Sequence, residues 1–154
     1  MSVFYSFHYD RDNWRVQQIM NMGAIEGTTL LNHQDWETVK RGGDQAIKNW
    51  IDKQMLYKSA VIVLVGYETA GRPWVQYEIE KAYLDRKPLL GIRINGLKDR
   101  DGYTDPEGPD PFDILGFDSL YVPLYTPSGY NSTDKYNDIK RNIRSWAQNG
   151  YVRA

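Results

Sequence analysis

Residues 60–66, AVIVLVG, are apolar without a break, and no other stretch constrains the fold of this chain so tightly. A strand with one wet face alternates apolar and polar positions. A run with no polar position must be covered on both sides, as a central strand of a parallel sheet is. Parallel neighbours need helical crossovers, and helical spacing brackets the run. Ahead of it, Ala46, Ile47, Trp50, Ile51 and Met55 recur at that spacing behind Asp44, the expected N-cap. Behind it, Pro73 suits the first position of a helix whose apolar stripe is Val75, Ile79 and Ala82.

The same reading extends outward. VFYSFHY, residues 3–9, is β-prone, and Asp10 or Asp12 is expected to cap a helix with Val16, Ile19 and Met20 as its stripe and Gly23 at its end. TTLL (28–31) reads as a short second strand and LLGIRIN (89–95) as a later one. SLYVPLY (119–125) reads as the last, with Pro123 placing it at an edge or a bulge. Tyr136, Ile139, Ile143, Trp146 and Ala147 mark a closing helix from Thr133 or Asp134 to Gly150. Strands alternating with helices predict an α/β flavodoxin-like three-layer sandwich. Its five-stranded, mainly parallel sheet would have order 2-1-3-4-5, with helices on both faces. At 154 residues, without an internal repeat, the chain 1–154 is expected to be a single domain. Residues 96–117, rich in Asp, Gly and Pro, form a loop of a length that is usually functional or mobile.

Composition narrows the functional classes. A net charge of −1 argues against a nucleic-acid partner. No apolar run approaches the roughly 20 residues of a membrane span. MSVFYSFHYD lacks the order of a signal peptide, so a cytoplasmic protein is expected. The chain has no Cys, which removes disulfides, thiol nucleophiles and thiolate metal sites. No G-x-G-x-x-G follows the first strand, and no P-loop pattern occurs. Asp99, Asp101, Asp105 and Glu107 miss the EF-hand spacing and read as a turn shaped by Asx and Pro residues. His8 and His33 are too few for a zinc site, so no metal is expected. The 12 Tyr and 5 Trp exceed what a minimal core needs and lean towards an interface or pocket.

In open α/β sheets ligands bind beyond the carboxyl ends of the strands, here between the first and third. That rule brings together Ser6 to Asp10, the turn Gly66 to Pro73, and the start of the helix carrying Trp74 and Glu78. By helical phase Glu78 borders the buried stripe, Glu80 points to water, and Trp74 sits one turn above Glu78. Two readings stay open. Glu78 pairs with Lys81 or an Arg on a solvated face, or it enters a pocket where burial alters its pKa. His8 likewise reads either as a ligand contact or as a residue that packs and bonds a backbone carbonyl.

VFYSFHYDRDN resembles the first strand and following loop of TIR domains, with Ser6 and Phe7 in the family's "SF" position. AVIVLVGYETAGRPWVQYEI resembles the TIR third strand and the helix after it, with a Trp and a Glu four residues apart. SFHYDRD, Trp36-Glu37 before a helix, WVQYEI, the GI-x-IN strand and GPDPFD are together most similar to the TIR-like proteins of bacterial Thoeris anti-phage systems. The chain departs from many TIR domains in having Arg72-Pro73 before the Trp and no Arg-Asp or Pro-Gly signature after the second strand.

The resemblance implies cleavage of the nicotinamide–ribose bond of NAD and release of a cyclic ADP-ribose isomer. That diffusible nucleotide would activate a partner effector, with a phage-derived trigger and self-association on the input side. NAD is then the substrate, and no cofactor is expected. Carried over by position, Glu78 is the catalytic carboxylate, and Ser6, Phe7 and His8 line the pocket. Phe7, Trp36, Trp74 and Tyr77 are candidates to stack on the substrate's rings, each weighed against simple packing. The alternative is a non-enzymatic TIR scaffold that acts through self-association.

Overall fold

The computed structural model describes residues 1–27, 33–116 and 121–154, with side chains of residues 33–36 outside the description. The elements run β1 (Ser2–Ser6), α1 (Tyr9–Met20), β2 (Glu26–Gly27), α2 (His33–Arg41), α3 (Gly43–Met55) and β3 (Ala60–Val65). After a 3-10 turn (Thr69–Gly71) come α4 (Pro73–Leu84), β4 (Leu89–Arg93), α5 (Pro111–Ile114), β5 (Leu124–Tyr125) and α6 (Ser132–Gln148).

All the named strands pair in parallel, in the order β2-β1-β3-β4-β5 expected from the alternation of elements. Every residue of β3 is buried, as its unbroken apolar run requires. An antiparallel bridge from Leu89 to Tyr151 fastens the C-terminal tail to the start of β4.

The period-2 alternation of the strands divides the core. Val3, Tyr5, Ile62, Leu64 and Ile92 face α1 and α6, meeting Val16, Ile19, Ile139 and Ile143. Phe4, Val61, Val63 and Val65 face the opposite layer, meeting Ile47 and Ile51 of α3, Val75 and Ile79 of α4, and Phe112 of α5. Burial of this kind contributes about 25 cal/mol per Å² of apolar area, so the two layers dominate stability.

The structure differs from the sequence reading in several places. Helix α2 was not expected; Trp36-Glu37 lies inside it and ahead of α3. The proposed strand at 28–31 falls outside the described residues, as does the start of the one proposed at 119–125. The observed edge strand is only Leu124–Tyr125, just after Pro123, whose carbonyl accepts from the Gly91 N–H. Strand β1 stops at Ser6, and His8 is the N-cap of α1, accepting from the Arg11 N–H at 3.4 Å. Asp10 and Asp12 sit instead in the first turn. Gly42, not Asp44, occupies the N-cap of α3, without a side-chain cap bond. Asn131 caps α6, accepting from the Asp134 N–H at 2.9 Å.

Candidate active site

Strand alternation sends Ser6 to the same face of the sheet as Phe4, towards the layer of α3 and α4. Pro73 starts α4 just after the 3-10 turn that follows β3, and in its second turn Glu78 is buried beside Val75 and Ile79. The two meet at the carboxyl edge of the sheet, where the Ser6 hydroxyl donates to Glu78 Oε1 at 2.7 Å. Ser6 is fully buried and Glu78 only 8% exposed. Lys81 does not reach Glu78; it pairs with Asp85 at 2.7 Å and with Asp52 at 3.8 Å. The solvated-pair reading of Glu78 therefore gives way to an enclosed carboxyl.

Burial, with no counter-cation among the described residues, disfavours the charged form. Desolvation pushes Glu78 from 4.5 to about 8, while the Ser6 hydrogen bond pulls in the other direction. At neutral pH the side chain is thus mainly the neutral acid, and the carboxylate takes over as pH rises through about 8. Groups shifted in this way are enriched where chemistry is done.

Around the pair, Gly66 follows β3 and donates its N–H to Thr69 Oγ1 at 2.7 Å, shaping the turn into α4. A Cβ at Gly66 would collide with the carboxylate of Asp12, so glycine is the residue that fits there. His8 is buried, with Nε2 3.9 Å from Glu68 Oε2. Because Nδ1 accepts the Arg11 N–H, the neutral ring carries its proton on Nε2. Desolvation first, and then the positive charge of Arg72, hold its pKa below the usual value.

The aromatic candidates divide. Phe7 packs against the layer of α1 and α6 and lies 6.1 Å from the Tyr9 ring. Trp74, partly buried, meets the Tyr77 ring edge-on at 5.8 Å. The Tyr77 hydroxyl donates to Asp52 Oδ1 of α3 at 2.8 Å. The side chain of Trp36 is outside the described residues.

A buried charge network beside the site had no counterpart in the sequence reading. Arg15, 1% exposed, donates to Asp12 Oδ1 at 2.9 Å, Asp105 Oδ2 at 3.0 Å, and the carbonyls of Leu97 at 2.9 Å and Tyr103 at 3.0 Å. Arg11 grips Asp105 through two bonds of 3.1 Å and reaches Glu68 at 3.4 Å. Arg93 donates to the Gly108 carbonyl at 2.7 Å, and Gly108 lies so close to the Gly66 and Tyr67 backbone that it has no room for a Cβ. The long loop is thus pinned along the carboxyl edge of the sheet. Asp99 closes an Asx-type turn within it, Oδ1 accepting from the Asp101 and Tyr103 N–H groups at 2.9 Å.

Comparison with known proteins fits this geometry. Residues 4–99 match the family model described as "Thoeris protein ThsB, TIR-like domain". A protein of Bacillus cereus (strain MSX-D12) named "Putative cyclic ADP-D-ribose synthase ThsB1" is 35% identical over 146 residues, covering 89% of this chain and 76% of that one. Among the described residues no helix is long and apolar enough to cross a membrane.

Proposed function

The chain belongs to the TIR-like domain family of the Thoeris protein ThsB, and on that premise we propose that it consumes NAD, cleaving the nicotinamide–ribose bond and closing the remainder into a cyclic ADP-ribose isomer. The observation that carries the reading is Glu78: an enclosed carboxyl held by Ser6 at the carboxyl edge of the sheet, with no cation bearing on it among the described residues. A module that only self-associates gains nothing from such a group, and its burial costs stability.

The chemistry needs little more than a carboxylate. NAD carries a cationic nicotinamide ring, which leaves neutral by taking the electron pair of the bond to C1′. No proton donor is required for that departure. The ribose left behind is oxocarbenium-like, and an enclosed carboxylate stabilises it strongly because little water competes. A positive charge at C1′ also favours the ionised form of Glu78, opposing the effect of burial. In cyclisation a nucleophilic atom of the adenine end attacks C1′. Where that atom carries a proton, Glu78 can accept it. In this reading His8, Phe7 and Trp74 border the pocket, and NAD is the substrate with no metal assigned a role. The cyclic product reaches its effector by diffusion, and self-association and a phage-derived trigger belong to the same proposal.

The test is incubation of the concentrated protein with NAD, following nicotinamide and product masses. The expected products are nicotinamide and a compound with the mass of cyclic ADP-ribose. ADP-ribose alone would retain the glycohydrolase and remove the cyclase. Absence of nicotinamide, both from purified protein and in extracts of phage-infected cells, would overturn the proposal in favour of a scaffold.

A further inference from the structure

Resting on that reading of Glu78, we infer that Ser6 is a positioning residue: its hydroxyl engages Oε1 and so leaves Oε2 as the oxygen presented to the ribose. Ser6 has no exposed surface, so it offers substrate nothing to touch directly. Its hydroxyl points instead at Glu78 Oε1, at 2.7 Å. A carboxyl group one turn into a helix has free rotation about its last bond unless something fixes it. The Ser6 donor, placed by the last residue of β1, fixes it across 72 positions of sequence. It also stabilises the charged form, partly offsetting burial.

Few other groups compete for this role. Strands β1, β3 and β4 and the turn at 69–71 pack against α4, and α3 reaches it through Asp52, which meets Tyr77 and Lys81, and through Lys48, which lies over the Tyr77 ring. Of their titratable side chains, Tyr5 lies on the opposite face of the sheet, and Arg93 is occupied by Gly108 and Glu107. On α4 itself, Tyr77 is turned to Asp52. On β3 and in the turn there is no ionisable residue at all. Among the described residues, burial and Ser6 are therefore the main influences on the ionisation of Glu78.

The experiment compares wild type, Ser6→Ala and Ser6→Thr by pH-dependent kinetics and by carboxyl-carbon NMR titration of Glu78. Ser6→Ala is expected to lower kcat about tenfold to a hundredfold, with KM changed less than threefold. The acid limb of its profile and the NMR titration should both move to higher pH. Ser6→Thr, which restores a hydroxyl, should recover most of the rate. Unchanged kcat and an unchanged Glu78 titration in Ser6→Ala would overturn the inference. A wild type that turns over no NAD removes the functional reading instead, and the titration then still decides whether Ser6 governs Glu78.

Discussion

Glu78→Gln is expected to lower nicotinamide release by about a thousandfold while making the protein more stable above pH 5. The two effects have one origin. A carboxylate enclosed against desolvation is strongly available to an oxocarbenium, and the same enclosure opposes its ionisation when no cation is there. In the folded state Glu78 is raised from 4.5 to about 8. A raised carboxyl contributes stability that is fully present below the unfolded value and is lost as pH rises through the folded one. The wild type therefore weakens progressively from about pH 4.5 to about pH 8. Glutamine keeps the Ser6 acceptor and removes the titration, although its buried NH2 group offsets part of the gain. The net advantage at pH 8.5 is expected to be on the order of 2 kcal/mol, roughly 4–8 °C in Tm. It should vanish near pH 4. Thermal melts at both pH values, beside the NAD assay, check the pair of effects.

Arg15→Met should be the most damaging single change to the fold near the site, costing about 3–5 kcal/mol and lowering Tm by about 10 °C. Methionine fills much of the volume, so the loss is chiefly electrostatic. Removing the guanidinium leaves Asp12 buried without its partner, along with two carbonyls and one side of Asp105. Burial already holds the Asp12 carboxyl above its usual range, with Arg15 opposing the shift. Without Arg15 the raised Asp12 adds a penalty that grows as pH rises above its unfolded value. The deficit should thus be larger at pH 8 than at pH 4, as denaturant titrations at the two pH values would show. An equal deficit at both would place the loss in packing rather than charge.

Which parts of this architecture were legible beforehand follows from how local the signals are. The buried run at 60–66 and the alternation of elements imposed the sheet order, because parallel strands leave few topologies open. Pro73 and the stripe Val75, Ile79 and Ala82 fixed α4 and its phase, which put Glu78 at the core's border. Helix α2 packs on α3, with Val39 reaching the core, and the polar residues of HQDWETVKR gave no clear apolar period in the sequence. His8 was passed over as an N-cap because Asp and Asn are the usual caps, and two Asp residues lay just downstream. Nothing local marks Arg15 as buried, since its partner Asp105 lies 90 positions away. Tyr77 adjoins Glu78 in sequence, yet a rotation of about 100° per residue carries it to α3 and Asp52. The Ser6 contact follows from the same geometry: the switch-point rule brought both segments to one edge, but only coordinates reveal a hydrogen bond.

The central claim is that the enclosed Glu78 carboxylate performs the cleavage of NAD. Its most direct test is kcat/KM for nicotinamide release across pH 5 to 9.5, since that ratio reports ionisation of the free enzyme. A catalytic Glu78 carboxylate gives a rise of about tenfold per pH unit on the acid side, levelling near pH 8 where Glu78 ionises. A profile already flat from about pH 5 upward, the behaviour of an ordinary solvated carboxylate, would contradict the claim.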